Sequence, residues 1–162
     1  MNKILILLGT LYAISALADA PGEKVDSFVK LKELTGHWVK EGGSPEKFYI
    51  SFYTSANGSV LVEDWISNGV SRSLTVYHRD GERLLATHYC PQENQPRLKL
   101  KESSNENEIS FVFKDATNLE DLNENHQHSL SFEFVDKDTL IRKESYISSG
   151  TLAPSTLKLI RK

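Results

Sequence analysis

From residue 37 onward, apolar and polar residues alternate with period two in short runs. The runs cover 37–41, 47–54, 59–66, 70–78, 82–89, 97–102, 108–115, 127–135, 139–147 and 155–161, which predicts about ten strands. Phe48, Ile50 and Phe52 share one side of their run, as do Ile109, Phe111 and Phe113, and Leu130, Phe132 and Phe134. Asn57-Gly58, Asn68-Gly69 and Asp80-Gly81 separate runs with residues that tolerate positive φ, so sequential strands should pair as hairpins. The expected fold is all-β, an antiparallel meander of about eight to ten strands that removes its edges by closing into a barrel. Ahead of it, Asp26 or Ser27 can cap a short helix through Leu34, with Phe28, Leu31 and Leu34 on one side, and Gly36 stops it. The long segment 116–126, rich in Asn, Glu and Asp, reads as a lid or binding loop.

The first residues change the picture of where this barrel resides. Met-Asn-Lys, the apolar stretch 4–17 broken at Gly9-Thr10, and Ala16-Leu17-Ala18 form the three parts of a secretory signal peptide, with cleavage expected after Ala18. The apolar stretch is too short to remain as a stable anchor. The expectation is a leader over 1–18 and one domain over 19–162, exported to the periplasm or secreted, with no stable membrane insertion after cleavage. Cys90 is the single cysteine, so no disulfide within the chain holds the fold. A net charge of −3 with both signs interspersed leaves no basic stripe for nucleic acid.

Candidate chemistry concentrates where two apolar stripes turn polar. His88 and Cys90 lie at i and i+2 on one side of a strand, after Leu84 and Ala86. His126 and His128 repeat the arrangement before Leu130, Phe132 and Phe134. Residues so spaced are about 6–7 Å apart and point the same way. If both stripes face the interior, His88, Cys90, His126 and His128 converge at one mouth of the barrel, and Glu63 adds a carboxylate. Asn94 and Gln95 add amides, and Arg97 adds a charge suited to an anionic group. A metal is not assigned; were one bound, His88, His126 and His128 would be its ligands. Cys90 reads either as a small buried residue or as a nucleophile.

Two resemblances add to this. Gly36-His37-Trp38, opening the first strand after a short helix, resembles the Gly-x-Trp of lipocalins and fatty-acid-binding proteins. There an Arg from a late strand packs over the Trp, and Arg161 or Arg142 would serve. The run 74–81, followed by Thr87-His88-Tyr89-Cys90 and Asn94-Gln95-Pro96-Arg97, resembles DUF1579, a bacterial domain family of unknown function with a lipocalin-like or calycin-like fold. Leu34-x-Gly36-x-Trp38, Gly58-Ser59 with Glu63, Asn118, and His126-Gln127-His128 extend the likeness over most of the domain; Pro91-Gln92-Glu93 departs from it. The resemblance implies a barrel whose site comprises His88, Tyr89, Cys90, Asn94, Gln95, Arg97, Asn118, His126 and His128.

The leading expectation is therefore an exported barrel that binds a small apolar or amphipathic molecule through the polar cluster, with no cofactor. The alternative is a metal-dependent or acid-base enzyme using the same residues. A haem-binding barrel would need one unopposed His over an apolar cavity. A structural barrel would be filled by its seven Phe and six Tyr.

Overall fold

The computed structural model describes residues 26–103 and 105–162. The expected leader and its cleavage site lie outside the described residues. Helix α1 (Ser27–Lys32) is followed by strands β1 (Gly36–Lys40), β2 (Phe48–Ser55), β3 (Val60–Ser67), β4 (Val70–Asp80) and β5 (Arg83–Tyr89). Strands β6 (Gln95–Lys101), β7 (Glu108–Thr117), β8 (His126–Asp136), β9 (Thr139–Ser148) and β10 (Thr151–Arg161) complete the chain. Every strand pairs antiparallel with its sequence neighbour and β1 pairs with β10, giving a closed ten-stranded barrel consistent with a lipocalin-like fold.

The helix closes one end. Asp26 caps it by accepting from the Phe28 and Val29 amides, which satisfies two of the donors that a helix start leaves free. Its apolar side, Phe28 and Leu31, joins Leu34 and Trp38 in the core. The helix is shorter than the pattern predicted, ending at Lys32, and Leu34 reaches the core from the turn beyond it.

Trp38 is fully buried and donates its indole N–H to Leu34 O at 2.7 Å. Of the two arginines expected over its ring, Arg161 takes the place, with its guanidinium carbon 4.3 Å from the ring centroid. The same guanidinium donates to Thr35 O, Glu33 O and Lys137 O, so one side chain ties β10, the helix turn and the β8–β9 hairpin to β1. Gly36 is required here: its φ is +130°, and a Cβ would stand 3.2 Å from Arg161 Nη1.

Away from this end the barrel wall thins. β1 meets β10 over Trp38↔Arg161, Val39↔Ile160 and Lys40↔Leu159, and Glu41 N donates to Lys158 O at 2.9 Å. Gly42, Gly43 and Pro45 then turn the chain away, so among the described residues no strand pairs with the second edge of 151–157. Pro154 sits in this edge segment, where a missing N–H disrupts no ladder. Ser155 and Leu157 lie opposite Glu144 and Arg142 and share their inward side, yet Ser155 is exposed. The barrel is thus tied together at the helix end, and among the described residues β10 has a single strand neighbour over 151–157 at the other.

The sealed half is packed with side chains. Phe52 meets Phe132 edge-on at 6.1 Å, and Tyr77 contacts Phe111 and Phe132 at 5.6 and 6.0 Å. Arg161→Ala should lower stability by about 2–3 kcal/mol through loss of charge-assisted hydrogen bonds and the ring contact. Arg161→Lys should recover less than half of that, because an ammonium cannot reproduce the three-way fork; urea unfolding followed by Trp fluorescence measures both.

Candidate functional site

The polar centre of the molecule is not the predicted mouth cluster but a set of charges inside the barrel. Arg142 on β9 and Glu63 on β3 are 1% and 0% exposed, and Arg142 Nε donates to Glu63 Oε1 at 2.8 Å. The same Oε1 accepts from Trp65 Nε1 at 2.6 Å, and Oε2 accepts from the Tyr77 hydroxyl. The guanidinium lies 4.6 Å from the Trp65 ring centroid. Glu144, two residues along β9 on the same side, places Oε2 2.9 Å from Arg142 Nη1 and accepts from Gln127 Nε2 at 3.1 Å. Burial opposes the charge on Arg142, but Glu63 and Glu144 outweigh it and push its pKa up; in return Arg142 overcomes the burial of Glu144 and holds that carboxyl below its ordinary range.

The donor account of this arginine does not close. Among the described residues Nη2 meets no acceptor, while Nη1 lies 2.9 Å from Glu144 Oε2. Gln127 Oε1 is likewise buried without a partner. Leaving such groups unmatched costs about 1–3 kcal/mol each, more for a charged group.

His88, 2% exposed, occupies the layer above. Its Nδ1 is 2.9 Å from Thr75 Oγ1 and its Nε2 is 3.2 Å from the Tyr146 hydroxyl. Burial, reinforced by the positive charge of Arg142, lowers its pKa to about 4. It is therefore a neutral imidazole at physiological pH and a weak base. Burial and the Glu144 carboxylate push the Tyr146 phenol well above its usual value.

The other nominated residues divide by position. Most of them belong to the loops and strand ends away from the helix, but they do not form one inward-facing cluster. Arg97 points outward, paired through Nε with Asp115 Oδ1 at 2.5 Å, so it is not directed at an interior anion. Tyr89 is 49% exposed and, with Gln95 and Arg97, lines an outer depression of about 450 Å³. Gln95 accepts from Thr117 Oγ1 and donates to Glu93 O. Cys90 Sγ donates to Gln92 Oε1, and burial raises the thiol pKa, which disfavours thiolate chemistry. Asn94 and Asn118 border an open depression of about 700 Å³ together with 121, 123, 124 and 125. Asn94 is buried and donates to Asn125 O; Asn118 donates to Glu93 O.

His126 and His128 stay paired, with rings 6.1 Å apart, but a bulge corrects the inward side they were expected to share with Leu130. β8 pairs Gln127↔Tyr146 and then Ser129↔Ser145, leaving His128 as the extra residue. An extra residue reverses side-chain parity. Gln127 consequently enters the interior, His128 is exposed, and His126 is buried with its ring 4.7 Å from that of Phe113. Among the described residues, no group of three or more His, Cys, Asp or Glu is placed to hold a metal ion, and the three histidines do not form a ligand set.

Glu63 and His88 are the nominated residues that belong to the interior centre. The sequence pattern does not single out Glu144, Tyr146, Gln127, Thr75, Tyr77 or Trp65, and it suggests Arg142 only as a cover for Trp38. In β9 both alternating sets, Leu140-Arg142-Glu144-Tyr146 and Ile141-Lys143-Ser145-Ile147, mix apolar and polar residues, so parity selects neither side. The sequence matches no protein-family model and no curated protein.

Two measurements check this geometry. Glu63→Ala strands the guanidinium, the indole N–H and the phenol together and should cost about 3–5 kcal/mol, whereas Glu63→Leu combined with Arg142→Met should recover much of it; denaturant unfolding decides. For His88, whose folded pKa lies near 4 against 6.5 for an ordinary histidine, the unfolded chain takes up a proton that the folded chain refuses. Stability should fall by about 2 kcal/mol from pH 7.5 to 5 through this residue alone, and His88→Gln should lose that much less over the same window.

Proposed function

We propose that the protein is an exported barrel that binds a small molecule, whose polar head is read at Arg142 and whose body lies toward the open half of the barrel. The observation that carries this is the Arg142 guanidinium: fully buried, flanked by two carboxylates, with an Nη2 that no group among the described residues satisfies. Buried unmatched donors are rare because they are costly, and binding sites are where such a cost is offset by a ligand. The position of the centre supports the reading as well. It lies between the packed aromatic half and the open β10 edge, where Phe48, Trp65, Leu157, Glu144 and Tyr146 are all partly exposed. The leader-like residues 1–18 support export to the periplasm or beyond, and the resemblance to DUF1579 barrels points to the same class of protein.

His88 orients rather than reacts in this scheme. With both ring nitrogens engaged and a pKa near 4, it offers neither a strong base nor an open position to a haem iron. The packed core of Phe52, Tyr77, Phe111 and Phe132 favours a competing reading, a structural barrel that holds no ligand.

The full chain purified from expressing cells and weighed intact under native and denaturing conditions separates these. Binding predicts an organic mass present only in the native state and reduced at least tenfold in occupancy in Arg142→Lys, which keeps the charge but withdraws the fork. Equal native and denatured masses, with no thermal shift from a metabolite extract, support the structural barrel. A ligand retained undiminished by a folded Arg142→Lys would place the site elsewhere.

A further inference from the structure

The unmatched groups of the interior centre are of both kinds. Among the described residues Arg142 Nη2 is a donor without an acceptor, and Gln127 Oε1 is an acceptor without a donor. They are also close together, because Glu144 Oε2 contacts both residues, at 2.9 Å from Arg142 Nη1 and 3.1 Å from Gln127 Nε2. A carboxamide that accepts at its oxygen and donates at its nitrogen bridges about 8 Å between such partners at ordinary hydrogen-bond lengths. A carboxylate can answer the guanidinium but has nothing to offer the Gln127 oxygen; an ammonium group has the opposite defect.

Charge points the same way. The centre already sets two carboxylates, Glu63 and Glu144, against one guanidinium, with His88 neutral beside them. An entering carboxylate would be the third on a single cation, in surroundings where burial magnifies each like-charge contact. Glu144 already holds the side of Nη1 that a bidentate acid would use. A neutral acceptor asks only for the N–H groups left over.

The approach to the centre is aromatic. Trp65, which covers the guanidinium, meets Phe48 at 5.4 Å between ring centroids, and both are partly exposed. On the opposing β10 side are Leu157 and Ser155, whose hydroxyl reaches toward Glu144 Oε1 at 3.4 Å. Flat, partly exposed rings suit a flat ligand body, which stacks or packs edge-on against them.

From these three features we infer that the ligand is a neutral, flat molecule bearing a carboxamide-type head, with a carbonyl toward Arg142 and an N–H toward Gln127. This rests on the binding reading above and specifies its ligand class. A carboxylate is disfavoured as the head.

Four probes on one ring test it: benzamide, N,N-dimethylbenzamide, benzoate and benzylammonium, titrated at millimolar concentration and pH 7 into the full chain and followed by Trp fluorescence and calorimetry. Benzamide should bind at least tenfold more tightly than benzoate and benzylammonium, and several-fold more tightly than the dimethyl analogue, which accepts but cannot donate. Gln127→Met should erase the advantage of benzamide over its dimethyl analogue, and Glu144→Gln should narrow the gap between benzamide and benzoate; thermal unfolding confirms that each variant is folded. Benzoate binding as tightly as benzamide overturns the ligand class and leaves the binding reading in place. Binding of benzamide that Gln127→Met leaves unchanged overturns the assigned N–H contact. Failure of all four probes overturns the ligand class, and the native-mass result then decides the fate of the binding reading separately.

Discussion

The buried pair of Glu63 and Arg142 joins two strands that are not neighbours in the sheet. β3 and β9 contribute opposite parts of the wall, and their side chains meet across the interior at 2.8 Å with an indole and a phenol also committed to the carboxylate. Desolvating two charges is expensive, so the arrangement persists only because the geometry is good and most of the remaining valences are answered. The exception, among the described residues, is Arg142 Nη2. The polar centre therefore divides the barrel: aromatic packing below it toward the helix, hydroxyls, an amide and an imidazole above it toward the open end.

That division follows from the lengths of the strands at the seam. β1 has five residues and β10 has eleven, so the seam closes only where 38–40 meet 159–161. Gly36 admits Arg161 over the indole, and the arginine anchors the helix turn through backbone carbonyls. Beyond Lys40 the turn over 42–45 ends the strand, and among the described residues the first half of β10 is left with one neighbour. Rigidity at one end and access at the other are thus consequences of the same short strand.

The electrostatics of the site depend on burial more than on any single pair. His88 is neutral because it is buried and because Arg142 repels its proton, and the Tyr146 phenol is held protonated by burial and Glu144. Both groups then serve as hydrogen-bonding surfaces of fixed charge. Among the described residues, no helix is long and apolar enough to cross a membrane.

The pattern of the chain by itself determined the class of the fold. Period-two alternation, turn residues between runs and a Gly-x-Trp after a short helix are local signals, and local backbone preference suffices to produce an antiparallel meander. The same signals marked His88 and Glu63 as inward-facing, since each extends a stripe of unambiguous apolar residues. Parity failed for His128, where a bulge inserts one residue and brings Gln127 inside instead. It was silent for Arg142 and Glu144, whose strand carries apolar residues on both faces. It could not show that Arg97 is turned outward to Asp115, because a partner eighteen residues away is chosen by cross-strand register. Which charges meet in the interior is decided by closure, when ten strands bring residues 63, 127 and 142 within reach of one another. No spacing along the chain encodes that, because the contacts depend on shear, register and one bulge accumulated around the whole barrel.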